Sequence, residues 1–178
     1  MKSKKLVFFL LSMLLLAACG QKTLSEPITL HNQAQKEITF PLEKPTVFFF
    51  ITSYTWGLCH QQLVQLHENI DKLAGMDVEM YVLSKDLPEE QLQLYKELEG
   101  IYGKSLSFVS DPDLELIDFM GMKNGDVAYR GYGMLDQDGC CESATISCCA
   151  WGWVKYSSIR TTAPSPSSIA LMSSAMEW

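Results

Sequence analysis

The chain has 178 residues, 47% apolar and 20% charged, ordinary proportions for a single globular domain able to bury a sizeable core. Its formal net charge of −7 hides an asymmetry, because 9 basic and 19 acidic side chains lie between Gln21 and Gly139. Such a surface repels phosphate backbones and anionic lipid heads, which argues against nucleic acid as a partner and against any polybasic hold on a membrane.

The first twenty residues read as an address. Lys2, Lys4 and Lys5 precede an apolar run from Leu6 to Leu16 that is too short to span a bilayer comfortably, and Ala17-Ala18-Cys19-Gly20 follows. Leu16-Ala17-Ala18-Cys19 resembles the bacterial lipobox, in which the cysteine is acylated and becomes the mature N-terminus. The resemblance implies a signal peptide over 1–18, lipid attachment at Cys19 and a tether over 19–26. It also implies a place on the extracytoplasmic face of the cell membrane, the acyl chains being the membrane partner. An ordinary secretory signal cut nearby, with Cys19 incidental, is the alternative.

From there the elements follow in order. Ile28 to Leu30 and Glu37 to Phe40 alternate apolar and polar residues around His31-Asn32-Gln33-Ala34-Gln35-Lys36, which predicts a β-hairpin. Val47 to Ile51 is continuously apolar and suits an interior strand of a covered sheet. From Cys59, apolar residues recur at Leu63, Leu66, Ile70 and Leu73, the spacing of a helix. Met76 to Val82, ending at Ser84, is a second strand. Leu87-Pro88-Glu89-Glu90 opens a helix carrying Leu92, Leu94, Tyr95 and Leu98, and Leu106 to Val109 is a short strand. Asp111-Pro112-Asp113 caps a helix from about Leu114 to Met120. Val127 to Tyr129 and Tyr132 to Leu135 read as strand, and Asp136-Gln137-Asp138-Gly139 as a tight turn. Strands alternating with helices imply an α/β domain over 27–139 with a mainly parallel central sheet.

Cys59 is the residue with chemistry attached. It falls beyond the carboxyl end of the Val47–Ile51 strand and at the amino end of the following helix, where dipole and free N–H groups favour an anion. A thiolate is stabilised there and the sulfur becomes nucleophilic. His60 would project elsewhere on the helix as a surface residue. His31 and His67 show no ligand spacing with acids or cysteines, so no metal and no other cofactor is expected.

Three segments carry a resemblance to a known family. The first is the strand, turn, Cys59 and helix. The second is Val82-Leu83-Ser84-Lys85-Asp86 with Val109-Ser110-Asp111-Pro112-Asp113, and the third is Tyr129-Arg130-Gly131-Tyr132-Gly133-Met134-Leu135-Asp136-Gln137-Asp138-Gly139. In this order and spacing they resemble the redoxins, the alkyl-hydroperoxide-reductase and thiol-specific-antioxidant branch known as peroxiredoxins. The resemblance implies a thioredoxin-like three-layer fold, with a central mixed, mainly parallel sheet flanked by helices. It implies a thiol-dependent antioxidant that reduces peroxides through Cys59, with Arg130 polarising the peroxide and holding the sulfur anionic. A peroxide or thiol/disulfide substrate and a separate thiol reductant would be the partners.

The reactive loop departs from the family pattern. Peroxiredoxins carry a proline seven residues before the active cysteine and a Thr or Ser three before it; here those positions hold Thr52 and Trp56. Thr55 lies one residue too early and substitutes only if the loop is re-registered. The departure keeps open a second reading, a catalytically decayed thioredoxin-fold binding or maturation module on the cell envelope.

After Gly139 the composition changes abruptly. Residues 140–178 hold four of the six cysteines, nine serines and only four charged residues. The strand and long amphipathic helix that the resemblance implies after Gly139 are not legible, and the segment reads as a poorly ordered tail. A shifted reading frame would produce such a change. Alternatively, Cys140-Cys141 and Cys148-Cys149 supply disulfides, a resolving thiol for Cys59, or metal ligands.

Overall fold

The structure, a computed structural model, describes residues 22–53, 57–73 and 75–146. Ile28–Asn32 (β1) and Glu37–Phe40 (β2) form the expected antiparallel hairpin, with Ile28 across from Phe40 and His31 across from Glu37. Asn32 closes its turn, since Oδ1 accepts from the backbone N–H of Ala34 and of Lys36, each at 2.9 Å. A side-chain amide thereby does the work of a backbone turn bond.

Thr46–Phe50 (β3) is buried at every position, which is why its sequence shows no alternation. It lies between β4 (Glu79–Ser84) and β8 (Gly131–Leu135), and its side chains feed two cores. Phe48 and Phe50 pack with Phe40, Leu83, Val109 and Ile117 on one face, whereas Val47 and Phe49 pack with Leu63, Leu94, Leu98 and Phe108 on the other. Each fully buried phenylalanine contributes roughly 1.5–3 kcal/mol of transfer free energy.

The first helix, α1 (Gly57–Glu68), stops short of the predicted Leu73, and a one-turn helix, α2 (Ile70–Leu73), follows. Asn69 makes the break. Its side-chain Nδ2 donates to the carbonyl of Gln65 at 2.8 Å, the acceptor its own backbone N–H would have used, and that N–H turns to Leu66 instead. Helix α3 (Pro88–Tyr102) has proline at its first position, and the Glu90 carboxylate accepts the Leu87 N–H at 2.9 Å. Gly103 ends it in the left-handed region (φ 73°), its N–H reaching the Glu99 carbonyl. Ser107–Ser110 (β5) leads into Asp111, whose carboxylate accepts the N–H groups of Glu115 and Ile117 at 2.8 and 2.9 Å and so starts α4 (Glu115–Phe119) as predicted.

The main sheet has seven strands in the order β2-β1-β5-β4-β3-β8-β9. It is mixed, and its parallel character is confined to β5, β4 and β3; every pairing outside these three is antiparallel. Helices α1 to α3 cover the face of Val47 and Phe49, and α4 covers the face of Phe48 and Phe50. The predicted strand at Val127 is only Val127–Ala128 (β7), which pairs with Lys123–Asn124 (β6) as a separate two-stranded ladder.

Two boundaries differ from the sequence reading. Residues directly after Gly139 form a strand, Cys141–Ile146 (β9), paired along β8 from Leu135↔Cys141 to Gly131↔Ile146. A register shift between Met134 and Leu135 hides it, because Met134 faces Ser143 and the buried Cys141 and the half-buried Ala144 are three residues apart, not two. Strict alternation is lost, and with it the usual signature of a strand. At the other end the predicted tether is docked from Lys22. The Leu24 N–H reaches the Gly139 carbonyl at 2.9 Å, and the Cys141 N–H reaches the Lys22 carbonyl at 3.0 Å. Gly139 needs its φ of 77° for this turn, where a Cβ would also come within 3.3 Å of Leu24 Cβ. Cys19 and residues 147–178, with Cys148 and Cys149, lie outside the described residues.

Candidate active site

The three parallel strands end together, and the residues that follow them meet at one end of the sheet. β3 closes with the Ile51 N–H bonded to the Leu83 carbonyl at 3.1 Å. The chain then passes to α1, which carries Cys59 as the third residue of its first turn. The backbone of Cys59 therefore sits at the positive end of a twelve-residue helix, beyond the carboxyl end of β3, as the sequence predicts. Thr55, Trp56 and the Cys59 side chain lie outside the described residues.

Arg130 reaches the same end by a different route. β8 runs antiparallel to β3, and its first residue, Gly131, pairs with Phe50, the last residue of β3. Arg130 precedes Gly131 and so stands at the mouth of the β3–α1 loop, half-buried.

Beside them lies a polar network that sequence reasoning did not assign. Asp86, two residues past the end of β4, is buried, and its Oδ1 accepts the Ser53 hydroxyl at 2.9 Å. Its Oδ2 accepts the Ser84 hydroxyl at 2.9 Å. Gln91 of α3 donates through Nε2 to Ser84 Oγ at 3.1 Å and to the Val109 carbonyl at 2.9 Å. In the sequence the run Val82 to Asp86 marks a strand end and carries part of the family resemblance, without giving Ser84 or Asp86 a role. Asp111 closes the row at the end of β5; burial pushes its carboxyl pKa up while the backbone N–H groups it caps oppose that shift.

Other predicted residues lie elsewhere. His60 is exposed, as expected of a surface residue. His67 is buried and structural. Its Nδ1 meets the Leu63 carbonyl at 2.7 Å, and its Nε2 meets Ser105 Oγ at 3.0 Å and the Leu106 N–H at 3.3 Å. The Nδ1–H tautomer satisfies all three contacts, and burial lowers the pKa of the ring. Among the described residues no cluster of three or more His, Cys, Asp or Glu converges as metal ligands do.

Cys140 and Cys141 fall at the wrong end for a resolving thiol. Cys141 pairs with Leu135, and Leu135 with Thr46, the first residue of β3. A strand of this length spans about 13 Å, whereas a disulfide needs Cα atoms within about 7 Å. Cys140 is fastened where it stands, its N–H bonded to Asp136 Oδ1 at 2.7 Å and its Sγ 3.2 Å from Thr23 Oγ1.

A mixed sheet with three parallel strands at its centre and helices on both faces defines a thioredoxin-like α/β protein, the fold of the peroxiredoxin class. Residues 22–143 match the AhpC/TSA family over more than half of the chain, and the chain belongs to that family. No curated protein matches it in sequence. Among solved structures it is similar to Enterococcus faecalis AhpC, at 20% identity and a TM-score of 0.60, over 74% of this chain and 83% of that one. It is also similar to the reduced 2-Cys peroxiredoxin of Plasmodium vivax, at 16% identity and a TM-score of 0.60, over 76% and 88%. For the peroxidoxin BcpB of Mycobacterium tuberculosis the figures are 16%, 0.58, 71% and 84%.

Proposed function

We propose that this protein is a thiol peroxidase that reduces hydroperoxides through one reactive cysteine, Cys59. Family membership supports a thiol peroxidase-like activity in general. The observation that carries the particular reading is the Phe50↔Gly131 pairing, which sets Arg130 beside the loop leading to Cys59.

The thiolate of Cys59 attacks one peroxide oxygen. An S–O bond forms, the O–O bond breaks, and the alcohol or water leaves after taking up a proton. The product is a sulfenic acid, and a thiol reductant returns it to the thiol with two electrons. A free cysteine with a pKa of roughly 8.5 is mostly protonated at neutral pH, so the helix start and the guanidinium must hold it ionised. Arg130 stays charged and donates several coplanar hydrogen bonds, to the sulfur and to the oxygen that gathers charge as the O–O bond opens. With the loop re-registered by one residue, Thr55 supplies the hydroxyl that peroxiredoxins place near the thiolate. The chain is held to the extracytoplasmic face of the membrane by acylation of Cys19.

Peroxide consumption with a chemical thiol as reductant tests the reading. Cys59→Ser should abolish it and Thr55→Val should weaken it. Turnover that survives the loss of Cys59 removes Cys59 from the mechanism, and a parent protein that consumes no peroxide overturns the peroxidase assignment and leaves the envelope binding module in its place.

A further inference from the structure

We infer that Ser53 and Asp86 are positioning residues that hold the β3–α1 loop, and through it Cys59, against the ends of the other parallel strands; this rests on Cys59 being the nucleophile. Ile51 bonds through its backbone N–H to the Leu83 carbonyl of β4, and Ser53 comes two residues later, six before Cys59. The loop is tied at that point by a side chain, the Ser53 hydroxyl donating to Asp86 Oδ1 at 2.9 Å. A hydrogen bond to a carboxylate is among the stronger neutral-to-ion contacts, and it is directional.

The anchor itself is fixed from several sides. Asp86 is only 7% exposed, and its second oxygen is held by Ser84, the last residue of β4. The Ser84 hydroxyl can donate only once, and that proton goes to Asp86, so it accepts from Gln91 Nε2. Gln91 spends its other donor on the Val109 carbonyl of β5. Three strand ends and α3 are thus linked by side chains at the edge where the reactive loop begins. A carboxylate that needed only burial partners would be served by Ser84 and its surroundings. Its bond to Ser53 reaches outward to the one segment whose placement sets the sulfur relative to the helix start and Arg130. Misplacement of a reacting atom by about an ångström costs up to a hundredfold in rate, so a loop of this kind repays a fixed anchor.

The test reads the pH dependence of Cys59 alkylation by a small thiol reagent, with the other cysteines replaced by serine, alongside kcat/KM for hydrogen peroxide. Ser53→Ala should move the alkylation midpoint upward by about one pH unit and lower kcat/KM about tenfold. Ser53→Thr keeps the hydroxyl and should restore both. Asp86→Asn keeps an oxygen for Ser53 and should stay within about threefold of the parent, whereas Asp86→Ala should behave like Ser53→Ala. Where Asp86→Ala does not fold, the Ser53 pair decides alone. A Ser53→Ala protein with a lower melting temperature but an unchanged midpoint and kcat/KM overturns the inference, because a purely structural bond would act that way. The midpoint reports loop placement with no peroxide present. A parent protein that consumes no peroxide while its Ser53→Ala midpoint still shifts therefore overturns the peroxidase reading and supports the anchoring.

Discussion

Gly131 lies across from Phe50 in the β3–β8 ladder, and this one pairing decides where Arg130 stands. Phe50 is the last residue of β3, and the chain leaves it for the helix that carries Cys59. Because the strands run antiparallel, the residue before β8 arrives at the end where β3 finishes. A slip of two residues in this ladder would keep every side chain on its own face of the sheet and still carry Arg130 about 7 Å along the strand, away from the loop.

A first prediction concerns that arginine. Arg130→Ala should move the alkylation midpoint of Cys59 toward the free value of roughly 8.5. Peroxide turnover should fall by on the order of a hundredfold, the usual cost of removing one positioned donor from a developing oxyanion. Arg130→Lys restores the charge without the planar set of donors and should recover only part of the rate. Native turnover in Arg130→Ala would remove the residue from the mechanism.

A second concerns the thiols at the far end. After treatment with peroxide and no reductant, peptide mapping should find no linkage between Cys59 and Cys140 or Cys141 within one chain. These positions belong to the Leu135 end of β8, and Cys59 to the Gly131 end. A Cys59–Cys140 disulfide formed under native conditions would contradict the register of both ladders.

The third is a pH effect on stability. His67 has a lowered pKa in the folded protein because burial disfavours the imidazolium, so the unfolded chain binds its proton first as pH falls. Its contribution is present above the ordinary imidazole value of about 6.5 and is lost as pH drops from there toward the folded value. Protonation also places an N–H on Nε2, where the Leu106 N–H now points. Thermal melts between pH 7.5 and 5 should show a decline that is weaker in His67→Gln. An equal decline in both proteins would show that other groups set it.

The fourth bears on the carboxyl-terminal boundary. A chain ending at Gly139 loses β9, uncovers Leu135 and the edge of β8, and should aggregate or melt well below the parent. A chain ending at Ile146 keeps the strand and should melt close to the parent. Equal melting temperatures for the two truncations would show that β9 adds nothing to the sheet.

Much of this architecture was legible from local pattern. The turn at Asn32, the buried run into Phe50, Pro88 at a helix start, the cap at Asp111 and the turn at Gly139 each follow from side chains within a few residues. Cys59 at a strand-to-helix junction follows in the same way, since one change of hydrophobic period places it. The miss at β9 had a local cause too. The shift at Leu135 breaks the two-residue alternation, and Cys141-Glu142-Ser143-Ala144-Thr145-Ile146 carries little apolar signal.

What pattern could not supply was position across the sheet. The polarity and spacing of residues set which segments are strands and helices, because those properties act through neighbours along the chain. Strand order and ladder register are set by hydrogen bonds between segments far apart in sequence. Only those bonds put Arg130 at the mouth of the Cys59 loop, sent Cys140 to the opposite end and brought Ser53 to Asp86.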